Sequence, residues 1–134
     1  MSERPQLTSL DHLVLTVASL ETTIAFYSGI LGMVVDEFQP TDGSTRYALK
    51  FWAQKINLHQ AGQEFEPHAQ HPKPGTADLC FLSGTDLDDW QSHLVDHDVT
   101  IIEGPLHRTG ACGPLMSIYI RDPDGNLIEI SNQT

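Results

Sequence analysis

The sequence predicts an α+β fold in which one structural unit is built twice. Three observations carry this. The 134 residues suit a single compact body. Each half runs strand, amphipathic helix, then three strands, read from the alternation of period 2 with period 3.6. Between the halves, residues 61–76 hold three prolines and two glycines, the best linker in the chain and long enough to suggest a loop with a task of its own. The modules so delimited are about 8–60 and 77–132, within one domain spanning 1–134.

The first module opens on a strand over Leu10–Val17. Leu13, Leu15 and Val17 make one face, and His12, Val14 and Thr16 the other. Ser19 is an N-cap for a helix, with Glu21 favourable in its first turn. Leu20, Ile24, Tyr27 and Leu31 recur at helical spacing, and Gly32 suits the C′ position. Strands follow over Met33–Phe38, Arg46–Phe51 and Lys55–Gln60, the first two separated by the turn at 41–44. On the last strand Asn57 and His59 share a face.

The second module begins with a strand over Ala77–Leu82, where Asp78, Cys80 and Leu82 share a face. Thr85 or Asp86 caps a helix whose apolar stripe is Leu87, Trp90 and Leu94. Val99–Glu103 reads as a strand, 104–114 as a loop punctuated by glycine and proline, and Leu115–Ile120 as a strand. Asp122-Pro123-Asp124-Gly125 is a turn with a mechanism. Pro123 pre-sets φ, the Asp side chains can close the turn locally, and Gly125 accepts positive φ. The closing strand then puts Ile128 and Ile130 on one face, Leu127 and Glu129 on the other.

Laid over each other, the modules match His12 with Asp78 and Asn57 with Glu129. All four fall on the face opposite the helices. A carboxylate flanked by apolar residues in a strand needs a partner, a metal or water.

Composition narrows the function classes. The formal net charge is -11, from seven Lys and Arg against eighteen Asp and Glu. Nucleic acid and anionic membranes call for a basic face, so neither is an expected partner. No apolar run approaches the roughly 18 residues that span a bilayer, and residues 1–6 lack the apolar centre of a signal peptide. Cys80 and Cys112 stand apart, without Cys-x-x-Cys spacing, which fits a reduced, cytoplasmic setting.

Three stretches resemble the vicinal oxygen chelate superfamily of glyoxalases, bleomycin-resistance proteins and extradiol dioxygenases: 11–15 (Asp-His-Leu-Val-Leu), 26–33 (Phe-Tyr-Ser-Gly-Ile-Leu-Gly-Met) and 122–130 (Asp-Pro-Asp-Gly-Asn-Leu-Ile-Glu-Ile). The resemblance covers about residues 8 to 132. Residues 55–59, 74–80 and 104–110 are more narrowly similar to the glyoxalase domain-containing protein 5 group. It implies paired βαβββ modules curled around a central cavity, one divalent metal ion (Fe, Zn, Ni, Mn or Co), and a homodimer, sometimes with exchanged modules. In that family metal ligands sit on the first and last strands of each module. This carries over to His12 and Glu129. Asn57 stands where a carboxylate or amide ligand is common, with His59 two residues on, and Asp78 stands where histidine is usual.

The candidate metal set is therefore His12, His59, Asp78 and Glu129, with Glu129 and Asp78 also the candidate catalytic carboxylates. For His12 and Glu129 the plainer alternative is a histidine–carboxylate hydrogen bond without metal. For Asp78 it is a general base, or an orienter of His12. Two histidines and one carboxylate suit Fe(II), and related sites take the other metals. Such a metal binds two neighbouring oxygens as Lewis acid and template. Arg108 is the candidate for a substrate anion, against a solvated loop arginine, and Tyr119 could face the cavity, against simple packing. Lys55 reads as surface. His93 and His97, at a spacing that can bind zinc, read as an exposed helix face. His68 and His71, in the linker, can close over the cavity or face solvent. The expected function is a metal-dependent glyoxalase-like enzyme acting by lyase, isomerase or ring-opening chemistry; the alternative is a non-catalytic protein that sequesters a small ligand.

Overall fold

The computed structural model describes residues 4–134, and the doubled unit is what it shows. The first module comprises β1 (His12–Val17), α1 (Leu20–Gly29), β2 (Val34–Phe38), β3 (Arg46–Phe51) and β4 (Gln54–Gln60). The second comprises β5 (Asp78–Leu82), α2 (Leu87–Asp96), β6 (Glu103–Gly110), β7 (Gly113–Arg121) and β8 (Leu127–Gln133). Each forms a four-stranded sheet of the same topology, β1-β4-β3-β2 and β5-β8-β7-β6. The first strand of each module is an edge strand that runs parallel to the last, and the other pairs are antiparallel. Neither sheet closes into a barrel.

The strand alternation sorts the side chains as the periodicity requires. Leu15, Val17, Ile56 and Leu58 are buried under α1, and Ile118, Ile120, Ile128 and Ile130 under α2, in one continuous core. Phe51 of the first module meets Phe81 of the second edge-on, at 5.2 Å between ring centres. His93 donates from Nε2 to the Ile30 carbonyl at 2.8 Å, so the helix-covered sides face each other and the opposite sheet faces stay open.

Local chemistry fixes the helix ends. Ser19 Oγ accepts from Thr22 N, and Asp86 accepts from Asp88 N. In α1 the buried residues are Thr23, Phe26 and Tyr27, while Leu20, Ile24 and Leu31 are only partly covered. The buried stripe is thus rotated from the one expected, because Thr23 can enter the core while Leu20 stays at its rim. The helix stops at Gly29, and the left-handed residue beyond it is Gly32, at φ +80°.

The second module corrects one strand. Residues 99–102 form no strand; Ile102 N bonds the Tyr119 carbonyl and leads into β6. The stretch 104–110, expected as loop, is β6 itself. Gly104 stands at φ +102° where the β6–β7 register shifts between Glu103 and Leu106. Pro105 is tolerated because β6 is an edge strand, where a missing N–H leaves no ladder partner unpaired. Both residues were read as loop punctuation and are instead a bulge within a strand.

The turn of residues 122–125 forms as expected. Gly125, at φ +87°, returns its N–H to the Asp122 carbonyl at 3.0 Å. The Asp122 carboxylate, only 6% exposed, accepts from the N–H groups of Asp124 and Asn126, from Asn126 Nδ2, and from the Tyr27 hydroxyl at 2.6 Å. Asn126 Oδ1 accepts from Ala77 N at 2.8 Å. This small network ties α1, the turn and the start of β5 together, so it joins the modules.

Candidate functional site

Glu129 projects from the centre of the open face of the second sheet. On β8 it lies opposite Cys80 of β5 and Tyr119 of β7. Alternation puts its neighbours Ile128 and Ile130 into the core, which forces the carboxylate outward. Ser131 Oγ donates to Glu129 Oε2 at 3.3 Å and lies 2.6 Å from Ser117 Oγ and 3.3 Å from Cys80 Sγ. Burial pushes the Cys80 thiol up, with Glu129 and Asp78 adding to the effect against the Ser131 hydroxyl, so it stays a thiol at neutral pH and is a poor nucleophile.

Arg108 enters the same region from β6. Its Nε donates to Tyr119 Oη at 2.7 Å, and its carbon Cζ lies 5.3 Å from the Tyr119 ring centre. Burial and the Glu129 carboxylate raise the Tyr119 phenol, against the pull of Arg108. The cavity beside them holds about 400 Å³ and is lined by Cys80, Arg108, Cys112, Leu115, Glu129 and Gln133 among others. Arg108 is therefore a strand residue held by Tyr119, not a loose loop cation. Cys112 and Ser131 were not anticipated. Cys112 sits in the two-residue Ala111-Cys112 turn between β6 and β7, whose central residues carry none of the Asn-Gly or Gly-X chemistry that marks such hairpins in a sequence.

The remaining candidates lie elsewhere. His12 starts β1 with Nδ1 2.9 Å from Asp11 Oδ1. The carboxylate that orients it is thus Asp11 rather than Asp78, leaving Nε2 free for a ligand. Asp78 is exposed at the start of β5. His59 is buried on β4, with Nδ1 lacking a hydrogen-bond partner and its ring edge-on to Phe65 at 5.4 Å. Burial, then the Arg46 charge, lower its affinity for a proton against the opposing Glu64, so it is neutral at neutral pH. Asn57 Oδ1 is likewise buried without a partner.

The open faces of the two sheets thus divide the metal donors. His12 and His59 stand on the first sheet, Asp78 and Glu129 on the second. Among the described residues no three His, Cys, Asp or Glu side chains lie together as a metal-holding group. The donor types suit a divalent ion; their placement within one chain does not assemble a set. His93 is tied through Nε2 to the Ile30 carbonyl and His97 through Nδ1 to the His93 carbonyl, and among the described residues no third His, Cys, Asp or Glu joins them in a metal-holding group. Lys55 lies over the Phe38 ring at 4.8 Å. No helix among the described residues is long and apolar enough to cross a membrane.

Comparison with known proteins bears on the whole of this arrangement. Residues 9–130 match the profile of the Glyoxalase/Bleomycin resistance protein/Dioxygenase superfamily. The chain is 56% identical over 122 residues to the virulence protein STM3117 of Salmonella typhimurium, covering 91% of this chain and 82% of that protein. It is 54% identical over 124 residues to the glyoxalase domain-containing protein RDO1 of Mycosarcoma maydis, covering 92% and 68%. A solved structure from the mobile metagenome of V. Pseudocholerae superposes with a TM-score of 0.93 at 52% identity, covering 98% of this chain and 99% of that one.

Proposed function

From the premise that this chain belongs to the Glyoxalase/Bleomycin resistance protein/Dioxygenase superfamily, we propose that it is a metal-dependent enzyme acting on a small molecule with two neighbouring oxygens. The reading rests on one observation: a carboxylate, a phenol and a guanidinium, Glu129, Tyr119 and Arg108, gathered on the open face of a sheet otherwise built to pack. Glu129 and the free Nε2 of His12 are the proposed ligands, with Asp78 and His59 completing the set. This superfamily usually binds a divalent metal, which would supply a Lewis acid and a template for the paired oxygens. Arg108, pre-oriented by Tyr119, holds an anionic portion of the substrate. Asp78, exposed at the start of β5, is in addition the carboxylate proposed to move a proton.

Because one chain divides the donors between two open faces, we propose that the site is completed in a homodimer. The open face of the first sheet in one protomer would cover the open face of the second sheet in its partner. Lys55-Ile56-Asn57-Leu58-His59, 74–80 and 104–110 support placing the chain with the glyoxalase domain-containing protein 5 group, and Cys80 and Cys112, without Cys-x-x-Cys spacing, support a cytoplasmic setting. The competing reading is a non-catalytic binder that sequesters its ligand in the same cleft.

Metal analysis of protein purified without chelator separates the two. Stoichiometric divalent metal, lost in Glu129→Ala, supports the enzyme reading. Tight small-molecule binding that ignores chelators and His12→Ala would replace it with the binder.

A further inference from the structure

A second cavity, of about 600 Å³, lies beneath the linker that joins the modules. The linker is a fitted strap rather than a slack connection. Arg46 stacks on its Phe65 at 3.9 Å from the ring centre, and Thr76 Oγ1 donates to the Lys73 carbonyl at 3.0 Å. Gly75, at φ +81°, sits so close to the turn at 122–125 that a Cβ there would lie 2.6 Å from the Asp124 carbonyl oxygen.

The cavity wall has an unusual charge for this molecule. His59, His68, His71, Lys73 and the Thr16 hydroxyl line it, and no carboxylate does, in a chain with eighteen Asp and Glu against seven Lys and Arg. The linker's own acids are kept off the lining. Glu66 is engaged by His68 Nε2 at 3.1 Å, and Glu64, which lies near enough to favour a charged His59, is not among the lining residues. Both nitrogens of His68 face oxygen acceptors, Nδ1 toward the Ala69 carbonyl at 2.8 Å. Its ring is therefore engaged on both sides, while His71, Lys73 and Thr16 hold side-chain donors that are in no hydrogen bond among the described residues. Asn126 also lines the cavity, but its amide is committed to Ala77 and Asp122.

We propose that this cavity binds the oxyanion group of a small molecule, beside His59 on the open face of the first sheet. Lys73 and His71 donate to the anion from the strap, and Thr16 from the sheet floor. Charge-assisted contacts of this kind are the strong hydrogen bonds; with His68 paired to Glu66, Lys73 is the cationic donor left to the anion. This cavity and the Glu129 cavity share no lining residue, but His59 here also belongs to the proposed metal set. The anion's donors are Lys73, His71 and Thr16, so phosphate binding is read in metal-free protein and its failure leaves the metal test standing.

The test is titration with inorganic phosphate at constant ionic strength, followed through the histidine ring resonances. Saturable shifts of His59, His68 and His71 are expected, with His93 and His97 unmoved. Lys73→Glu, a change at an exposed position, should weaken phosphate at least tenfold. Lys50→Glu, the same charge change on β3 outside the cavity, should stay within twofold. Equal shifts with chloride, no saturation, or equal weakening by both variants would overturn the proposal. Amide spectra matching the parent confirm that each variant is folded.

Discussion

Two carboxylates show how differently the same chemical group can be used. Asp122 is buried and accepts four hydrogen bonds, so Asp122→Ala would strand buried donors and should cost about 3 kcal/mol or more in urea unfolding. Tyr27→Phe removes one bond to that charge and should cost about 1.5–3 kcal/mol. Burial, then the Asp122 partner, raises the Tyr27 phenol, so the folded state holds this proton where the unfolded chain gives it up. Stability from this group is complete below the unfolded value near pH 10 and falls by about 1.4 kcal/mol per pH unit above it. Tyr27→Phe should lose that alkaline slope in pH-dependent unfolding curves. Glu129 is the opposite case. Among the described residues it accepts one hydrogen bond, of 3.3 Å from Ser131, beside Tyr119 and Cys80. Glu129→Ala should shift the unfolding free energy by less than about 1 kcal/mol while abolishing function. A large loss of stability would make Glu129 a structural residue.

At the level of elements, the alternating strands were legible and the edge strand was not. The two faces of β1, and the outward placement of Glu129 on β8, follow from period 2 and hold in the structure. β6 was hidden because Gly104 and Pro105 are turn-forming residues wherever their context is unknown. Only the pairing with β7 reveals that one occupies a bulge and the other an unpaired edge. Arg108 was accordingly assigned to a loop, although its residue type marked it as an anion holder. The bulge makes a sharp prediction. Gly104 has φ +102°, and a Cβ there would collide with the Ser117 carbonyl oxygen. Gly104→Ala should destabilise by about 2 kcal/mol or more and, by shifting β6, loosen the Arg108–Tyr119 bond. Gly29→Ala, where a Cβ meets nothing within 4 Å, should be neutral or mildly stabilising by the same assay.

For the whole molecule, the doubled βαβββ order was readable because each module repeats the same two periods. Whether the four donors meet was not readable, since that depends on how two sheets pack and periodicity carries no such information. The helix-covered sides meet through Phe51, Phe81 and His93, which turns the donor-bearing faces outward. Leu82 on the second open face is 57% exposed, and Val14 on the first is 45% exposed, apolar surface consistent with mutual cover by a second copy. Dimer formation should therefore protect both, and monomerising variants should lose metal without unfolding.

The most direct test is the metal content of His12→Ala and Glu129→Ala, each alone and after unfolding and refolding together in equal amounts. A site built from two chains predicts almost no metal in either variant alone. In the mixture about a quarter of the parent's content should return, because half of randomly paired dimers regain one intact site of two. A parent that binds no divalent metal after reconstitution, or a mixture as empty as its components, would contradict the account.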